Sequence, residues 1–87
     1  MKATIGRMVT VLGVHSNGAT EAPAVITRAW SDRDVAEGGV MVNLTIFPDM
    51  APPLAQGSVT LFETAEEAHA WRGGNPVALA AHWPTRA

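Results

Sequence analysis

Residues 40–47 read Val-Met-Val-Asn-Leu-Thr-Ile-Phe, and this run constrains the fold more than any other part of the chain. In an extended strand, successive side chains alternate between two faces. Val40, Val42, Leu44 and Ile46 therefore form one wholly apolar face. Met41, Asn43, Thr45 and Phe47 form a mixed face opposite. Such alternation, rich in β-branched residues, predicts a strand over Val40–Phe47. Both faces carry apolar groups, so the strand needs cover on two sides. The apolar face belongs inside a small barrel. The mixed face calls for a second copy of the chain, with the chain's own helix as the alternative cover.

The flanking segments fit a sheet protein. Thr4 to Val14 is rich in Ile, Val and Leu, and its stretch from Met8 to Leu12 reads as a strand. It stops at His15-Ser16-Asn17-Gly18, where Asn-Gly supplies the positive φ of a tight turn. Thr20 to Pro23 reads as a loop, because Pro23 lacks the N–H of an interior ladder. A second strand follows from Ala24 to Trp30. Strict alternation would place Ala24, Ile26, Arg28 and Trp30 on one face of it. Ser31 to Asp34 opens a polar loop that closes at Gly38-Gly39. Pro52, Pro53 and Gly57 mark another loop, and Ser58 to Phe62 a short fourth strand. Thr64, with Glu67 three residues on, matches a capping box for a helix over Thr64–Arg72. Gly73-Gly74 would stop that helix. Val77 to Trp83 completes the set as a last strand. This pattern predicts a mainly β fold: a small SH3-like β-barrel of four to five strands with one short helix, an OB-like barrel being the alternative.

Composition narrows the function classes. Eighty-seven residues make a single β-barrel domain, 1–87. Hydrophobic residues are 47% of the chain and charged residues 16%, which is too apolar for a disordered segment and sparsely charged for a small monomer. With a net charge of -2, a polyanion has no excess of cations to bind, so nucleic acid is not an expected partner. The lack of Cys excludes disulfides, thiolate metal sites and cysteine nucleophiles. No segment reads as a membrane span or a signal peptide, so a soluble intracellular protein is expected.

The residues offer little for catalysis. His15, His69 and His82 have no partners at ligand spacing and read as partly exposed histidines. Glu63, Glu66 and Glu67 sit where a helix N-terminus welcomes acids. No catalytic residue, metal site or cofactor is expected. Five of the six basic residues are Arg: Arg7, Arg28, Arg33, Arg72 and Arg86. Arg suits bidentate anion recognition and partial burial. Trp30, Trp71 and Trp83 each combine a large apolar ring with an N–H that needs a partner. The expected ligand-binding or interface residues are Arg28, Trp30, Met41, Asn43, Thr45, Phe47, Trp71, Arg72, His82 and Trp83.

Several blocks in order carry a resemblance: Ile5-Gly6-Arg7-Met8-Val9, Pro23 to Trp30, Val42 to Phe47, Ser58-Val59, and His82-Trp83-Pro84. Their succession resembles a family of small proteins encoded by tailed bacteriophages and prophages. The resemblance implies action in a bacterial cytoplasm or a virion, and it carries no catalytic residues. Together these readings lead to a non-enzymatic phage-type barrel that self-associates as an interaction or structural module. The alternative is a homo-oligomeric binder of a small anionic ligand, such as a nucleotide signal, that counters host defence. Its partners would be itself, a small anion, or a phage or host protein; no membrane is expected.

Overall fold

A computed structural model describes residues 3–34 and 39–84, with 31–34 described by their backbone alone. Five strands and one helix follow in the order β1 (Met8–Ser16), β2 (Ala19–Asp34), β3 (Val40–Ile46), β4 (Leu54–Phe62), α1 (Ala65–Gly74) and β5 (Ala80–His82). The strands close into a barrel in sequence order. Neighbours are antiparallel except β4 and β5, which run parallel because α1 carries the chain back across the barrel wall. The short β5 also pairs with β1 through Thr10–His82, Val11–Ala81 and Leu12–Ala80, which seals the ring. A small barrel with one short helix is thus the fold the strand pattern predicts. The closed five-stranded ring with its one helix is consistent with both the SH3-like and the OB-like expectation.

The barrel interior holds Val9, Val11, Ile26, Val42, Leu44, Ile46, Val59 and Leu61, all essentially buried, with Trp83 at its edge. Each such side chain contributes about 1.5–3 kcal/mol by leaving water. A second, smaller cluster lies outside the barrel wall. There Leu12, Phe62 and Ala80 meet Ala68 and the half-buried Trp71 of α1. The helix therefore roofs the outer face of β1, β5 and β4. Thr64 caps it: the hydroxyl oxygen accepts from Glu67 N–H at 3.2 Å and the hydroxyl donates to Glu67 Oε1 at 3.1 Å.

Asn17 (φ 51°) and Gly18 (φ 84°) both occupy the left-handed region, the mark of a tight type I′ hairpin turn. The turn is tied to the loop after β3, where Ser16 Oγ donates to Asp49 O at 2.6 Å and Asn17 Nδ2 to Asp49 Oδ2 at 2.9 Å. Gly13, at φ 95°, lies where β1 departs from regular register, and a Cβ there would stand 2.9 Å from Arg72 Nη2.

Several expectations are corrected. Thr20 to Pro23 is strand, since β2 begins at Ala19. Pro23 is tolerated because its missing N–H faces the very end of β3, where its carbonyl still accepts from Phe47 N–H at 2.9 Å. β2 runs on through Ser31 to Asp34 where a loop is expected; Gly38 lies outside the described residues, as do Arg86 and the Arg33 side chain. The fourth strand starts at Leu54, four residues early, because its pairing with β3 resumes before an irregularity at Gly57-Ser58. α1 continues through Gly73-Gly74 and ends at Asn75, whose N–H donates to Arg72 O and whose side chain donates to Trp71 O. The last strand is three residues long rather than seven, since residues 76–78 turn instead. His82 is buried rather than partly exposed, and its Nδ1 donates to the Trp83 carbonyl at 2.7 Å.

Candidate functional site

The outer face of β2 and β3, which α1 does not cover, is the candidate site, and two irregularities build it. In β2, Ile26 pairs with Leu44 and Arg28 with Asn43, so β2 carries one extra residue there. Such a bulge reverses which residues face inward. Ile26 is fully buried, Arg28 is exposed, and Ala29, paired with Val42, packs on the core. The expectation that Ile26, Arg28 and Trp30 share one face is thus corrected: Arg28 and Trp30 stand outside, paired with Asn43 and Met41.

The second irregularity is in β4. Val42 pairs with Val59 and Leu44 with Gln56, so Gly57 and Ser58 together oppose Asn43. Ser58 takes a left-handed φ of 56°. Asn43 closes both gaps: its Oδ1 accepts from Ser58 N–H at 2.9 Å and from Trp30 Nε1 at 3.4 Å. Two donors on one oxygen fix which way the amide points. Arg28 holds its Cζ over the Trp30 ring, 3.9 Å from the centroid. Its stem and head cover the indole, as a snorkelling arginine does, while the charge stays wet.

The same face continues along the strands. Met8, Val25, Thr45 and Ala55 pair in one row across four strands. Phe47 follows at the end, tied to Pro23 through the backbone. Met8 is 47% exposed and Phe47 41%. Met41, Asn43 and Thr45 are half-buried. α1 packs on β5 and β4 instead, so the helix is not the cover of the mixed face of β3.

Six of the ten predicted residues, Arg28, Trp30, Met41, Asn43, Thr45 and Phe47, thus share this face. The other four do not join it. Trp71 leans on Phe62, ring centroids 5.7 Å apart. Both belong to a shallow cleft of about 260 Å³ beside α1, with Glu67 and Ala70. Arg72 is engaged structurally: Nε donates to Ala78 O and Nη2 to Pro76 O, each at 2.9 Å, which pins the loop after the helix. Trp83 packs on the barrel core, and its Nε1 donates to Glu63 Oε2 at 2.9 Å. His82 sits buried beside it. Met8 and Val25 escape a reading of β3 alone, because cross-strand register brings them in. Among the described residues, no group of three His, Asp or Glu side chains is placed to hold a metal ion, and no helix is long and apolar enough to cross a membrane.

Compared with known proteins, the chain matches no family model, no curated protein and no solved structure.

Proposed function

We propose that this protein is a non-enzymatic interaction module that self-associates through the outer face of β2 and β3. One observation carries the reading: Met8, Val25 and Phe47 gather on a sheet face that the chain's helix leaves uncovered, and no Lys, Asp or Glu occupies the paired positions around them. Protein interfaces favour Met, aromatic residues and Arg over Lys, Glu and Asp in this way. A second copy is the proposed occupant. A two-fold pairing sets one apolar sheet face on its own image, and a chain with 16% charged residues has little charge with which to solvate that face instead. The resemblance to tailed-phage proteins supports, as part of the same proposal, action in a bacterial cytoplasm or a virion.

Light scattering across micromolar concentrations tests it. The wild-type chain is expected to run as an oligomer. Phe47→Glu and Met8→Glu, both at exposed positions, are expected to run as monomers with unchanged circular dichroism. A wild-type monomer at every concentration removes the reading.

A further inference from the structure

The β2 bulge turns outward a group of polar atoms whose hydrogen-bonding capacity the described residues leave unused. Arg28 makes a single contact among the described residues, its stack on Trp30. Its guanidinium N–H groups donate to no described residue. Among the described residues Asn43 uses only its oxygen, both amide N–H bonds are unspent, and that nitrogen is not fully buried. Arg28 and Asn43 are register partners on adjacent antiparallel strands. Trp30 links them: its ring lies under the Arg28 guanidinium and its Nε1 donates to Asn43 Oδ1.

We propose that Arg28 and Asn43, on the platform of Trp30, form a binding site for the terminal phosphate of a small phosphomonoester. The guanidinium fork supplies two parallel donors and one charge, the arrangement that suits phosphate oxygens. The Asn43 amide supplies a third donor, and a terminal phosphate has three oxygens to receive them. A carboxylate has two. Preorganisation favours the site. Ser58 N–H and Trp30 Nε1 lock the amide orientation, and the indole restrains the guanidinium before any ligand arrives. Bulges of this kind commonly re-aim side chains at functional positions. All of these groups belong to one chain, so the site needs no second copy to form; pairing of copies through the same face would cover it, and phosphate and a second copy are expected to compete.

Isothermal titration and thermal shift, with inorganic phosphate, ribose 5-phosphate and a nucleoside monophosphate as probes, test the proposal against sodium chloride at matched ionic strength. The wild type is expected to bind the phosphates saturably and to melt higher in their presence. Tighter binding of the nucleoside monophosphate than of ribose 5-phosphate assigns a nucleotide as the source; equal binding assigns phosphate alone. Arg28→Gln removes the charge. Asn43→Asp keeps the oxygen that holds Ser58 and Trp30 but replaces the donor with an anion, so the fold is expected to survive. Each variant should lose about tenfold or more in affinity with an unchanged circular dichroism spectrum. No saturable binding by the wild type, or equal affinity in both folded variants, overturns the site. Light scattering on the same samples reports self-association separately.

Discussion

At the scale of single residues, Asn43 does most to hold the outer face together. It stands between an extra residue in β2 and an extra residue in β4, and one oxygen serves both sides. Asn43→Ala would remove the oxygen that accepts from the Ser58 N–H and from Trp30 Nε1. Losing a hydrogen bond at a partly exposed site costs about 0.5–1.5 kcal/mol, and urea unfolding should show a midpoint lowered accordingly. Gly13 is the second such position. At φ 95° an L side chain is strained, and a Cβ would press on an Arg72 side chain that two carbonyls already fix. Gly13→Ala is expected to cost about 1–3 kcal/mol, also read by urea unfolding. A bulge is the reason one part of the site was not legible in the sequence. Alternation along residues 24–30 puts Arg28 beside Ile26. Nothing in the composition of Ala24 to Trp30 signals the extra residue that separates them, since a bulge is set by pairing with the neighbouring strand.

At the scale of elements, local signals succeeded where the physics is local. The capping box at Thr64 and Glu67 and the Asn17-Gly18 turn stand as expected because both act over a few residues. Thr64→Ala should cost about 1 kcal/mol by removing the acceptor for Glu67 N–H. Thermal unfolding followed at the Trp71 signal checks it, since Trp71 rides on that helix. The alternating faces of β3 were equally readable, because Val42, Leu44 and Ile46 are buried as their period requires. Elements whose limits depend on tertiary partners were not. β5 shrinks to Ala80–His82 because only those three residues find both β1 and β4 beside them. The helix outruns two glycines because Asn75 caps it from beyond. Pro23 stays in β2 because its missing donor points past the end of β3.

At the scale of the whole molecule, the barrel has a roofed side and an open one. α1 covers β1, β4 and β5, and the face of β2 and β3 lies outside that cover. The roof contributes to stability through a close-packed contact: Ala68, on the inner face of the helix, is fully buried against Leu12, Phe62 and Ala80. Ala68→Leu should overpack it and cost about 1–3 kcal/mol; the open face should be unaffected, so light scattering would keep its wild-type value while the melting temperature falls. Phe47→Glu should act in the opposite sense, changing the scattering mass and leaving the melting temperature of a dilute sample almost unmoved.

The closure of the ring through β5 has a kinetic consequence. Hairpins β1–β2, β2–β3 and β3–β4 can zip one after another from short-range encounters. The final seam joins Thr10 to His82, about seventy residues apart in sequence, and contacts that distant are slow to form. Until the seam is made, β1 and β4 present bare edges to any neighbour in solution. Refolding is therefore a race between ring closure and intermolecular pairing, and its yield should fall as the chain is concentrated even where the finished barrel is stable.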